Sequence, residues 1–328
     1  MLHEVMEHFR LTKEFRKAGY FKTEASEKLI TELKLLIEAG HLVALAAIQG
    51  SGKTRISNRI RTQFQKERKI RVSTSLAVDK DRVKIGTLID ALFADLANGK
   101  QVKIPSKAEI RERKLRDLAK KVKKPLVLFV DEAHDLHPKT LVGLKRLIEV
   151  VQDSGAVFSI VLVGLPKLVV TLKRPALEEI GTRTRILNLN ILEGHEKAFV
   201  EWLVSECGRK GVKAQDLFTP EAIDFLAQTL KTPLQIIHYG WQSLEFAYQV
   251  GQKIVDLDMI QTVLAPDIHG LEASLVRQGF PEKVLSEILD IKPAEVRAFL
   301  KGQLSQNRTQ ELHNQLLQLG ILQTGTED

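Results

Sequence analysis

Residues 44–57 read ALAAIQGSGKTRIS, and the fold turns on this stretch. It carries all but the first residue of the phosphate-binding pattern G-x-x-x-x-G-K-[ST]: Gly52, Lys53 and Thr54 are in place, while Ala47 stands where the first glycine belongs. Such a loop points backbone N–H groups into one concavity at a helix N-terminus, where the helix dipole favours anions. Gly50 and Gly52 occupy the positions where a side chain would most obstruct phosphates. The pattern gives Lys53 the β- and γ-phosphates and gives the Thr54 hydroxyl to Mg²⁺, with Gln49, Ser51 and Arg55 as further ATP contacts. One methyl at Ala47 is tolerated if its φ stays negative. A turn demanding positive φ there would cost roughly 1–2 kcal/mol.

Working outward, HLVALAAI before the loop reads as a short buried strand, and KTRISNRIRTQFQKE after it as a helix. Strand, loop, helix is the context the loop requires. Upstream, Leu29, Leu33, Leu36 and Ile37 recur at helical spacing up to Gly40. Downstream come a strand (KIRVSTSLAV), a helix (GTLIDALFADLANG) and a basic helix over 107–124 with Ile110, Leu115 and Leu118 facing inward. PLVLFVDEAHDL is an apolar run ending in two acids, as expected of a central parallel strand. Another helix (KTLVGLKRLIEVVQDSG) and another buried strand (VFSIVLVG) follow. The alternation predicts an α/β fold with a central parallel sheet covered on both faces. Beyond about residue 195 the pattern is helical, with Thr-Pro helix starts, and no internal repeat or low-complexity segment is found. The expected organisation is an α/β nucleotide-binding core with an N-terminal helical segment over 1–192, an all-helical lid over 193–266, and a small helical module over 267–328.

Asp131 and Glu132 give the loop its chemical complement. Delivered by an apolar strand, Asp131 would hold Mg²⁺ while Glu132 orients and deprotonates the attacking water. Together with Lys53 they predict ATP hydrolysis. A net charge of +8 favours polyanions. No apolar run of membrane-spanning length occurs, and the opening residues carry early charges where a signal peptide would have an apolar region, so none is expected. The single cysteine, Cys207, reads as a packing residue and fits a reducing cytoplasm.

AAIQGSGKT, LVLFVDEAHDLHPKTLVGLKRLIE, FSIVLVGLPKL and RPALEEIGTRTRI together resemble the AAA+ ATPases, and more narrowly the ExeA-like and TnsC/MuB-like group of transposition regulators. The resemblance spans about residues 1–265 and includes an opening segment with His8, Phe9, Arg10, Leu11 and Phe15. It implies an ATPase that uses ATP and Mg²⁺, assembles as a homo-oligomeric ring or filament on double-stranded DNA, and recruits a transposase and target-selection proteins. No membrane is involved. A neighbouring subunit's arginine would complete the site, with Arg183 the first candidate, Arg185 the second and Arg174 the third. Lys80, Arg82 and Lys84 would follow the DNA backbone. Phe15, Tyr20 or Phe21 would lie near adenine, or serve packing.

Two positions depart from the group's pattern. Leu165 stands where a polar sensor is expected at the end of the fourth strand, and Gln235 where the lid's sensor arginine falls. Both point to slow hydrolysis that depends on oligomer and DNA. The tail stretch 281–302 has the look of a helix-turn-helix unit, with Arg297, Lys301 and the later Arg308 as DNA contacts, or else of a protein-docking module. The same fold would also serve a helicase loader, a secretion-assembly ATPase, or a nucleotide-gated docking switch with little hydrolysis.

Overall fold

A computed structural model describes residues 2–75, 85–96, 104–105, 107–264, 268 and 270–322. The DNA-contact candidates Lys80, Arg82 and Lys84 lie outside the described residues. The chain divides into two compact units.

The α/β unit comprises Leu29–Ile48, Ile56–Leu189 and Leu271–Asp328. Its five strands are β1 (Leu42–Ala46), β2 (Arg71–Ser75), β3 (Leu126–Val130), β4 (Phe158–Gly164) and β5 (Thr184–Asn188). They form one parallel sheet in the order β2-β3-β4-β1-β5. Every residue of β1, β3 and β4 is buried, whereas the edge strands β2 and β5 are partly exposed. That difference is why the three central strands read as unbroken apolar runs. Leu88, Leu92 and Phe93 of the helix Ile85–Leu96, and Leu141, Leu144 and Val151 of the helix Pro138–Gln152, fill the space against the sheet. Ala46 pairs with Gly164 and Asn188, and Val130 with Leu162. The chain therefore leaves β1, β3 and β4 along the same edge, where ligands of open parallel sheets bind.

The basic helix forms over Ala108–Lys120 with Leu115 buried, but Ile110 is 53% exposed, correcting its inward placement. Five helical residues turn the chain by about 140° relative to its starting face, so Ile110 and Leu115 cannot share one face. Leu118, three residues beyond Leu115, joins the core.

The tail belongs to this unit. Its helices Leu271–Arg277, Glu282–Leu289, Pro293–Leu300 and Gln306–Gln318 enclose Leu275, Phe280, Leu285, Val296, Phe299, Leu312 and Leu316. Val170, just beyond β4, packs against that cluster, and Lys167 N–H donates to Gln278 C=O at 3.1 Å. Gly279 makes this approach possible. Its φ is +95°, and a Cβ there would lie 3.0–3.2 Å from Lys167 Cβ and from Leu165 Cδ1 and Cβ.

The helical unit comprises Met1–Lys28, Gln49–Arg55 and Asn190–Gly270. The opening segment, grouped above with residues up to 192, packs here with the lid helices. Thr12 N–H donates to Cys207 C=O at 2.7 Å, and Phe15 meets Trp241 edge to face at 5.8 Å. Phe15, Leu203, Phe218, Leu226, Ile236 and Leu244 share one core. Cys207 is fully buried in that core, and its burial pushes the thiol up to about 11. Among the described residues no helix is long and apolar enough to cross a membrane.

Candidate nucleotide site

The loop starts as an extension of β1. Ala47 is 4% exposed and its N–H donates to Gly164 C=O at 3.0 Å. Among the described residues, the non-glycine positions with positive φ are Arg10, Arg68, Glu132 and Asp290, so Ala47 carries no left-handed strain. The glycine missing from the pattern is not required by this backbone.

Gly50 and Gly52 are different. Their φ values are +84° and +91°, the region where a side chain is strained. A Cβ on Gly50 would lie 2.9 Å from Thr232 Oγ1 and 3.0 Å from Leu234 Cβ. Leu234 N–H donates to Gly50 C=O at 3.2 Å, pinning the loop to the start of the helix Pro233–Gln249. Lys53 opens the next helix, Lys53–Glu67, and is 8% exposed, and Ser51 is buried as well.

Arg55 does something the motif does not announce. Its guanidinium donates to Gly19 C=O at 3.2 Å and to Arg16 C=O at 3.0 Å, tying the opening segment to the loop's own helix. The strap positions a mostly apolar cleft lined by Tyr20, Phe21, Ser51, Gly52, Arg55, Ile191 and Phe199. Phe21 meets Phe199 edge to face and Trp202 at a tilt, and Phe199 and Trp202 stack on each other. Of the three aromatic candidates for adenine, Tyr20 and Phe21 line this cleft, whereas Phe15 packs against Trp241.

Gln235 is committed elsewhere. Its Oε1 accepts from the N–H groups of Lys231 and Thr232, both at 3.1 Å, while Thr232 Oγ1 accepts from Gln235 N–H at 3.3 Å. This reciprocal capping box satisfies otherwise orphaned donors at the helix start. T-x-x-Q was legible as that signature, and it accounts for glutamine at this position.

In the α/β unit, β3 delivers Asp131 and Glu132 at its buried end. Glu132 sits at φ 50°, ψ 36°, a left-handed conformation unusual for glutamate, and its N–H donates to Asp131 Oδ1 at 3.0 Å. Strain of this kind costs roughly 1–3 kcal/mol and concentrates at functional sites. Glu132 Oε2 lies 3.4 Å from Nδ1 of His134, whose side chain is 8% exposed. Sequence reading passed over His134 because its contact is made across a single-turn helix, Ala133–Asp135, rather than at a helical repeat.

Arg183 immediately precedes β5 and is exposed, 3.8 Å from Glu149 Oε1 and 4.0 Å from Glu179 Oε1. Lys145 pairs with the same two acids and holds the Glu179 carboxyl below the usual carboxylate range. Arg185 is an exposed residue of edge strand β5, and Arg174 is exposed ahead of Pro175. In the tail, Arg297 pairs with Glu282 at 2.6 Å, and Arg308 with Glu295 and Glu311 at 2.8 and 2.6 Å.

The residue types present fit ATP with Mg²⁺, each unit taken by itself: the loop has two left-handed glycines and a buried lysine, and in the α/β unit carboxylates follow a central strand. Residues 37–172 match the family model described as an AAA domain. No curated protein matches the chain. Solved structures share its fold, among them the following three. Cdc6p from Pyrobaculum aerophilum is 14% identical with a TM-score of 0.55, covering 98% of this chain and 92% of that one. The Aeropyrum pernix ORC2 protein is 13% identical with a TM-score of 0.53, covering 98% and 91%. Drosophila ORC bound to DNA is 14% identical with a TM-score of 0.51, covering 95% and 82%. Residues 37–172 are thus similar to an AAA domain, and the chain has the α/β AAA+ fold: a five-stranded parallel sheet followed by a helical C-terminal region.

Proposed function

We propose that the chain is an ATPase whose nucleotide state governs assembly on double-stranded DNA and recruitment or activation of a transposase. The observation that carries the hydrolytic half is Glu132. A glutamate is held in a strained backbone conformation at the end of β3, on the sheet edge from which the phosphate loop departs. Gln49, Gly50, Ser51, Gly52 and Lys53 hold the phosphates, and Tyr20 and Phe21 receive the base. Thr54 and Asp131 hold Mg²⁺, which when bound neutralises charge on the phosphates. Glu132 takes a proton from the water that attacks the γ-phosphorus, and the bond to the bridging oxygen breaks. Arg183, freed from Glu149 and Glu179, completes the site of a neighbouring copy, with Arg185 as the alternative.

The DNA and transposase reading rests on the sequence resemblance and the basic charge. A second reading has its own support in the tail. Arg297 and Arg308 are already engaged by Glu282, Glu295 and Glu311, which favours the tail as a protein-docking module over a DNA-reading one. Binding to long double-stranded DNA, measured without nucleotide, with ADP and with a slowly hydrolysed ATP analogue, tests the proposal. Salt-sensitive binding and ordered assemblies with the analogue alone are expected. Binding indifferent to nucleotide would refute it.

A further inference from the structure

We infer that His134 is the positioning residue for Glu132, an inference that rests on the reading of Glu132 as the hydrolytic base. The imidazole is enclosed, and each of its nitrogens faces a carboxylate: Nδ1 is 3.4 Å from Glu132 Oε2, and Nε2 is 3.6 Å from Asp135 Oδ1. Leu165 N, one residue beyond β4, also lies 3.4 Å from Nδ1, which accepts from that N–H when unprotonated and donates to Glu132 when protonated. The ring thus sits between the carboxylate that ends β3 and the backbone that ends β4.

Packing fixes the ring in that position. A Cβ on Gly164 would stand 3.1 Å from His134 N and 3.4 Å from His134 Cβ, so the last residue of β4 must be glycine-sized for the Ala133–Asp135 turn to approach. Leu165 in turn lies under the Gly279 turn of the tail, 3.1 Å from where a Cβ would be. Leu165 brings no polar side chain to the end of β4. His134 supplies the polar group there instead, and Leu165 contributes its backbone.

A carboxylate at a left-handed backbone position has no helix or strand to fix its rotamer, and a general base must meet its proton within hydrogen-bond reach. His134 limits the directions Oε2 can take. It need not touch ATP or water to do this.

The test compares wild type, Glu132→Gln, His134→Ala and His134→Asn in steady-state ATP hydrolysis at saturating ATP and Mg²⁺, with and without double-stranded DNA. Affinity for a slowly hydrolysed ATP analogue is measured separately. His134→Ala should lower kcat by about 10–100-fold, the order expected from misplacing a reacting group, with analogue affinity unchanged. His134→Asn, whose amide reaches the place of Nδ1, should recover much of that loss. Wild-type kcat in His134→Ala beside an inactive Glu132→Gln would overturn the positioning role and leave the base intact. Full activity in Glu132→Gln would instead remove the base reading on which the inference rests. Loss of analogue affinity together with kcat in both histidine variants would make His134 a purely structural residue, which also overturns it.

Discussion

Replacing Ala47 by glycine restores the missing residue of the phosphate-loop pattern, and the structure says this should gain nothing. Ala47 has no positive φ, so there is no left-handed strain for glycine to relieve. Its methyl is buried, and removing it forfeits about 0.8 kcal/mol of apolar burial. Glycine's extra freedom in the unfolded chain costs roughly 0.5–1 kcal/mol more. The sum is a destabilisation of about 1–2 kcal/mol, with affinity for ATP analogues unchanged within about two-fold, or 0.4 kcal/mol. Urea unfolding should be followed by far-ultraviolet circular dichroism. Trp202 and Trp241, the chain's two tryptophans, both lie in the helical unit and would miss Ala47. A fluorescent ATP analogue then reads affinity in the same preparation. The reasoning is refuted if the variant is more stable than wild type. A roughly ten-fold gain in affinity, equivalent to 1.4 kcal/mol, would refute it equally, because it matches the release of left-handed strain.

Gly50→Ala should do the opposite to binding. Positive φ and the contacts with Thr232 and Leu234 should cost upward of about 1–2 kcal/mol, read as loss of analogue affinity and a lower urea midpoint. Glu132→Gly should abolish hydrolysis while stability holds or rises by up to about 1 kcal/mol, since strain relief of roughly 1–2 kcal/mol outweighs glycine's entropy; unfolding midpoints check it. Cys207 should resist thiol reagents in the native chain and react in urea. Because burial raises the folded thiol to about 11 from an ordinary 9.0, its stabilising share is intact below pH 9 and is lost as pH climbs towards 11, which stability measured across that window would reveal. Gly279→Ala should loosen the tail by about 1–3 kcal/mol through overpacking against Leu165 and Lys167, seen as faster proteolysis between 265 and 282.

The elements most legible in sequence were those whose burial is uniform. β1, β3 and β4 are covered on both faces, so their apolar runs needed no partner to be recognised, and the loop after β1 follows from glycines at fixed offsets. Less legible was anything that depends on which side chain meets which backbone. Arg55 stands inside the motif, yet its guanidinium serves Gly19 and Arg16, a distant segment that no periodicity connects to the loop. Ile110 is exposed because it stands five residues from Leu115, off the face that a spacing of three or four would share. The grouping of the opening segment with the lid rests on long-range contacts such as Phe15 with Trp241. The left-handed backbone of Glu132 left no trace in composition, since glutamate is an ordinary residue at a strand end.

The two departures from the expected sensors gain a physical sense from these contacts. Gln235 spends its Oε1 on capping its own helix, and Leu165 offers a backbone N–H in place of a polar side chain. On the proposed reading, Lys53, beside the bound Mg²⁺, is the cation that the described residues of a single subunit bring to the γ-phosphate. Lysine is a point charge, and it does not spread over three equatorial oxygens as a planar guanidinium does. On that reading further charge comes from a neighbouring copy, and Arg183, exposed and in ion pairs at 3.8 and 4.0 Å, is available for transfer at little cost, since such pairs contribute about 0–1 kcal/mol. An isolated copy would then bind ATP and hold it. Turnover would begin only when a second copy brings Arg183 to the first, which makes ATP the signal for assembly and hydrolysis its consequence.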